Sequence, residues 1–105
     1  MTDPHRAEIW WADVPGDKTR PVLILTRERF VAPLNSVLVA PLTTAVRDIP
    51  TEVLFTPAEG LPRTCAANFD NLFTLRKVRL REFIAAAPPG RLDEICRAYR
   101  FAAGC

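Results

Sequence analysis

The sequence predicts a mainly β domain, a small antiparallel barrel or sandwich finished by one C-terminal α-helix. Three observations carry this. Short apolar or alternating runs recur at intervals of about 8–15 residues, separated by turn-forming residues. Ten prolines against four glycines mark many strand ends and turns, with little flexible linker. Only the last stretch, Arg91 to Ala103, changes to helical spacing.

The first strand is read at residues 6–14, where apolar and polar residues alternate loosely around Trp10 and Trp11. In a strand these two side chains point to opposite faces. One is therefore expected in the core, leaving the other to stack on a base or line an interface. Pro15-Gly16-Asp17 makes a turn that runs to about Thr19. Pro21 has no N–H for a ladder, so it is expected to begin the next strand. That strand, Val22 to Thr26, is apolar on both faces and reads as fully buried.

Arg27 to Phe30 suits one helical turn, and Ser36 to Pro41 the third strand. A polar connection from Thr43 to Pro50 leads to an alternating strand, Thr51 to Phe55. Pro57 to Pro62 is a loop; Arg63 to Phe69 and Leu72 to Val78 are again extended. A short helix is expected around Leu80 to Ala86, set apart by Pro88-Pro89-Gly90 from the closing helix. In that last helix Leu92, Ile95, Cys96, Tyr99 and Ala103 form one apolar stripe. Asp93 and Glu94 near its start and Arg97 and Arg100 near its end suit the helix dipole.

Composition limits the function classes. A chain of 105 residues is one domain, able to bury about two-thirds of its unfolded surface. No apolar run approaches the roughly 20 residues that span a bilayer. The N-terminal residues lack a secretory pattern, so cytoplasmic residence is expected. Cys65, Cys96 and Cys105 have no metal-ligand spacing and read as free thiols, and His5 is the sole histidine. No metal or cofactor is expected. Net charge is +2, but the cations are twelve arginines and two lysines. Arginine suits flat anions and bases, a mild pointer to nucleic acid that a GC-rich genome would equally produce.

The chemistry concentrates in two phrases. Lys18-Thr19-Arg20-Pro21 opens the run Val22 to Leu25, and Ala40-Pro41-Leu42-Thr43-Thr44 closes another. A guanidinium beside a hydroxyl suits a phosphate, because arginine presents a rigid fork of donors and stays charged. If the two strands are neighbours, the phrases make one site; otherwise they are ordinary strand ends.

Those phrases, with Glu8-Ile-Trp-Trp-Ala-Asp13, Pro50-Thr51-Glu52-Val53 and Asn68-Phe69-Asp70-Asn71, resemble the MazF/PemK toxin family in order and spacing over roughly residues 6–103. The resemblance implies an SH3-like antiparallel β-barrel with a C-terminal α-helix, usually a homodimer. It implies a sequence-specific, metal-independent endoribonuclease of single-stranded RNA, silenced by a cognate antitoxin. The family's catalytic arginine falls on Arg20 and its threonine on Thr43. An aspartate used by members falls in the segment of Asp70, while one branch carries arginine where this chain has Asn68.

RNA can be cut without metal when its own 2′-OH attacks the adjacent phosphorus, leaving a 2′,3′-cyclic phosphate and a 5′-OH. The protein must position the phosphate, stabilise its developing charge and move a proton. Arg20 and Thr43 suit the first two tasks, with Thr44 as an alternative hydroxyl. Asp70, Glu8 and Asp17 are the candidate bases. Lys18, Thr19, Trp11 and Asn68 are candidate RNA contacts, as is the basic run of Arg76, Lys77, Arg79 and Arg81, which otherwise reads as a solvated face or an antitoxin contact. A competing reading is a non-enzymatic toxin like CcdB, acting on gyrase through its C-terminal helix. A third is a catalytically silent RNA-binding or antitoxin-bound protein.

Overall fold

A computed structural model describes residues 3–104. Seven strands pair antiparallel in one curled sheet. They are β1 Glu8–Asp13, β2 Thr19–Ile24, β3 Ser36–Thr43, β4 Glu52–Phe55, β5 Cys65–Asn68, β6 Phe73–Arg76 and β7 Leu80–Ala86. Across the sheet the order is β4-β5-β3-β2-β1-β7, with β6 also on β3. A single helical turn, α1 Glu28–Val31, joins β2 to β3, and α2 Leu92–Ala103 follows β7. The expected mainly β fold with a C-terminal helix is present, as a half-barrel.

The double-sided apolarity of β2 explains how the core is organised. Leu23 and Leu25 enter one cluster with Ile9, Leu42, Phe55 and Ile95, beneath α2. Val22 and Ile24 enter a second, with Trp10, Val31, Val39 and Leu75. Burying each such side chain is worth about 1.5–3 kcal/mol, so the central strands hold both layers together.

Each proline in the strands is paired on one side, Pro21 with Trp11 and Pro41 with Val22, and lies where the ladder on its other side is interrupted. Pro21 lies inside β2, not at its start, at a point where only β1 is paired; the ladder to β3 begins at Val22. Pro41 lies inside β3 between its pairing with β6, Ser36 to Val39, and with β5, Leu42 to Thr43.

Two expectations are corrected. Leu80 to Ala86 is a strand, although its residues favour a helix locally. It covers the edge of β1, with register shifts at Ile9/Trp10 and Trp11/Ala12. Leu80 is buried and Phe83 meets Trp10 edge-on at 6.0 Å, so pairing and packing override propensity. The apolar stripe of α2 is also turned. Ile95 and Ala98 are buried, with Leu92 and Ala102 against the same cluster, while Tyr99 is 40% exposed and Ala103 faces solvent. The small Ala98 lets the helix approach the sheet and leaves Tyr99 at its margin.

Arg91 ties α2 to the sheet. Its guanidinium lies 4.5 Å over the Phe55 ring and donates to Glu59, Glu94 and the Leu54 carbonyl. At the other end, His5 Nδ1 meets Glu28 Oε2 at 2.6 Å, and Glu28 Oε1 accepts from the Arg6 N–H at 2.8 Å. The Glu28 hydrogen bond and charge raise the His5 pKa above 6.5. A raised histidine pKa gives a contact fully present below pH 6.5 and lost as pH climbs through the folded-state value. An NMR titration of His5 is expected to show a midpoint above 6.5 that Glu28→Gln returns towards the ordinary value. A parental midpoint at or below 6.5 would refute the contact.

Candidate active site

Register brings the two phrases together. In the β2–β3 ladder Val22 pairs with Pro41, Leu23 with Ala40 and Ile24 with Val39. Continued two residues beyond its last pair, that register sets Arg20 opposite Thr43. Both line a groove of about 440 Å³, with Trp11, Lys18, Thr19 and Thr44 also on its wall. The tryptophans divide as expected: Trp10 is 5% exposed, while Trp11 is partly exposed beside the groove.

The turn before β2 orients Arg20. Gly16 has φ +77°, which the tight turn between β1 and β2 requires, and the Asp17 N–H donates to the Val14 carbonyl. Asp17 Oδ1 accepts from the Lys18 N–H at 2.7 Å, and its Oδ2 meets Arg20 Nη2 at 2.9 Å. Arg20 Nε is buried with no hydrogen-bond partner among the described residues. A buried donor without a partner costs about 1–3 kcal/mol, a cost that an anion placed there removes.

Thr43 is set to donate. Its Oγ1 accepts from the Ala45 N–H at 3.1 Å, which occupies one lone pair and leaves the hydroxyl proton for another acceptor. The following loop is held by Glu52, which accepts from the Arg47 N–H, Arg47 Nε and the Asp48 N–H at 2.9–3.0 Å. Burial works to raise the Glu52 pKa, but these donors hold it below the ordinary carboxylate value. Thr44, at the start of that loop, therefore lies on a fixed wall.

The remaining candidates separate. Asp70 is away from the groove lining: its Oδ2 accepts from Thr51 Oγ1 at 2.6 Å, with Arg47 Nη2 at 3.9 Å. The expected trio of Arg20, Thr43 and Asp70 is thus a pair. Glu8 is also elsewhere, accepting from the His5 N–H and Trp10 Nε1. Asn68 is buried, and its Oδ1 caps the turn at Asp70. Lys77 donates to the Val31 and Ala32 carbonyls, which terminates α1. Arg76 is exposed on β6, paired with Ser36 at the far end of β3. Of the basic run, Arg81 reaches the groove mouth by donating to Asp13, which also accepts from Thr19 Oγ1 at 2.8 Å, and the charge of Arg79 acts on the same carboxylate. The Thr19 hydroxyl and then Arg81 lower the Asp13 pKa.

Three groove residues escape the sequence reading: Pro62, Arg63 and Cys65. They become neighbours of Thr43 only because Thr43 pairs with Ala66, a register that no local pattern announces. Arg63 adds a third cation beside Lys18 and Arg20. Burial pushes the Cys65 thiol up, which disfavours a thiolate nucleophile there. Cys65 and Cys96 are free thiols; Cys105 lies outside the described residues.

Comparison with known proteins now decides the family. Residues 5–102 match the PemK-like, MazF-like toxin of type II toxin-antitoxin systems. The chain belongs to this family. Among similar MazF proteins is the "Probable endoribonuclease MazF2" of Mycobacterium tuberculosis strain H37Rv, 39% identical over 96% of this chain and 99% of that protein. Another is the "Probable endoribonuclease MazF5" of the same strain, 32% identical over 97% and 94%. The solved Mycobacterium tuberculosis toxin MazF-mt6 superposes with a TM-score of 0.86 at 34% identity, covering 92% of this chain and 96% of that one. A mycobacterial endoribonuclease solved in complex with its cognate antitoxin gives 0.84 at 30% identity, over 96% and 95%. In this MazF-like chain the groove containing Arg20 and Thr43 joins two phrases that mark the resemblance. No helix among the described residues is long and apolar enough to cross a membrane.

Proposed function

We propose that this toxin is an endoribonuclease that cuts single-stranded RNA without a metal ion, within the cytoplasm, through one toxin domain over residues 1–105. The observation that carries the reading is Arg20: a guanidinium on the groove wall, its Nε buried and unpaired, in the register row of Thr43. The relatives named above as endoribonucleases support the same reaction.

A scissile phosphate enters between Arg20 and Thr43. Arg20 donates from Nε and its terminal nitrogens, and Thr43 donates its hydroxyl proton to a non-bridging oxygen. Both bonds strengthen as charge grows on the pentacoordinate phosphorus. The RNA 2′-oxygen attacks, the P–O5′ bond breaks, and the products are a 2′,3′-cyclic phosphate and a 5′-OH end. Asp17, outside the groove lining itself but bonded to Arg20 at its wall, takes the 2′-OH proton; the 5′-oxygen takes a proton from water, and Asp17 returns its proton to the hydroxide left behind. Arg20 and Thr43 are the catalytic residues in this reading. Trp11, Lys18, Thr19, Thr44 and Arg63 form the RNA-binding wall, where Trp11 offers a stacking face. Glu8, Asp70, Asn68, Arg76 and Lys77 take no part in it.

A cognate antitoxin is part of the proposal. The antitoxin-bound relative supports it, and the groove's three cations suit an acidic segment laid across them. A homodimer follows from family resemblance. A gyrase-directed action like that of CcdB is not favoured, since the similar proteins are MazF toxins and endoribonucleases.

The test is incubation of purified protein with long RNA in EDTA. The expected result is discrete cuts with 5′-OH ends. Thr43→Val, which removes one donor, should slow cutting by about 10–100-fold, the worth of one hydrogen bond to a charged group. Absence of cutting, or 5′-phosphate ends, would overturn the mechanism.

A further inference from the structure

A second groove, of about 410 Å³, lies at the opposite end of the β2–β3 pair. Leu25, which borders it, lies five residue steps after Arg20, so the two sites are about 16 Å apart along the extended chain. Its wall carries Arg6, Thr26, Arg27, Cys96, Tyr99 and Arg100, and no carboxylate. Nothing in the cleavage reaction uses it.

Among the described residues the cations there lack carboxylate partners. Arg6 Nε is buried with no hydrogen-bond partner among the described residues, and Arg6 Nη2 meets only Cys96 Sγ, a weak acceptor, at 3.8 Å. Arg27 and Arg100 form no ion pair among the described residues. The nearest acid in sequence, Glu28, is occupied by the His5 ring and the Arg6 N–H. Thr26 Oγ1 accepts from the Leu38 N–H at 2.7 Å, which leaves its own proton to donate. Three arginines and a threonine thus line one space with no carboxylate among the described residues on its wall, which suits a phosphate. Tyr99, 40% exposed, sets an aromatic face at the margin, above an apolar floor that includes Leu38 and Ile95. A cavity of this size suits a small ligand with a flat apolar part.

We propose that this groove binds a nucleotide unit, with its phosphate on Arg6 and Arg100 and its base against Tyr99. The unit comes from a free mononucleotide or from a nucleic-acid strand, and both present the same phosphate and base. The site stands independently of the cleavage reading, because it shares no residue with the Arg20 groove.

Amide NMR titrations of the full chain carrying Arg20→Ala, to quiet the first groove, test the assignment. Saturable shifts are expected at Thr26, Cys96 and Tyr99 with 5′-AMP, and weaker ones with inorganic phosphate. Arg100→Glu should weaken AMP binding about tenfold or more, the loss of a charge-assisted hydrogen bond. Tyr99→Ala should weaken AMP but leave phosphate unchanged, because stacking acts only on the base. Both side chains are solvent-exposed, so the variants should fold; Arg27→Glu gives a second charge test. A short oligodeoxynucleotide binding more tightly than AMP would identify a strand as the source, and the reverse a free nucleotide, each supporting the site. Absence of shifts at this groove, equal binding of AMP and phosphate, or equal displacement of AMP by an oligoglutamate peptide would each overturn it. RNA cutting by the parent protein reports separately on the first groove.

Discussion

Arg20→Ala is expected to reduce RNA cutting by about 10²–10³-fold or more, the usual cost of removing a donor aimed at developing transition-state charge. The side chain combines permanent charge, an unpaired buried Nε and a bond to Asp17, so its loss removes the phosphate clamp and frees the proposed base. Arg20→Lys should fail nearly as badly, since a single ammonium cannot reproduce the fork. The fold should survive both changes. The Arg20–Asp17 pair is partly exposed and such pairs contribute about 0–1 kcal/mol, while the unpaired Nε opposes folding. Initial cutting rates on one RNA, with thermal melts of the same samples, settle the matter. Activity within about tenfold of the parent in a folded Arg20→Ala protein would remove Arg20 from the mechanism.

Phe55→Ala should be the most damaging change to stability, at about 3–5 kcal/mol. Phe55 is fully buried and bridges β4 to the cluster beneath α2. Its ring also carries the Arg91 guanidinium at 4.5 Å. Truncation leaves a cavity and removes the surface on which Arg91 is oriented towards Glu59 and Glu94. For a domain near this size each kcal/mol is worth about 4–8 °C, so a drop on the order of 20 °C is expected. Phe55→Leu, which keeps most of the volume, should cost much less. Unfolding is to be followed at one protein concentration, because any association would shift the midpoint. A loss below about 1 kcal/mol for Phe55→Ala would show that α2 is held by other means.

Local patterns revealed most strands because each carried its own punctuation. Gly16 and its neighbours marked the first turn, and the two-sided apolarity of Val22 to Leu25 marked a central strand. Leu80 to Ala86 misled because helix propensity is local, whereas the need to cover the edge of β1 is not. Tyr99 misled for a related reason. A helical stripe gives a period but not the angle at which the small Ala98 lets the helix settle.

The candidate site divides in the same way. From sequence alone came its two chemical groups, an arginine at the start of one strand and a threonine at the end of another, together with the family they mark. Only the tertiary structure decided that β2 and β3 are neighbours, in a register whose continuation past Val22–Pro41 brings Arg20 and Thr43 to one groove. It also added Arg63 through the β3–β5 pairing and drew Asp70 away to Thr51. The physical reason is that side-chain chemistry is a property of each residue, whereas proximity across a sheet depends on hydrogen-bond register between strands that lie far apart in the chain.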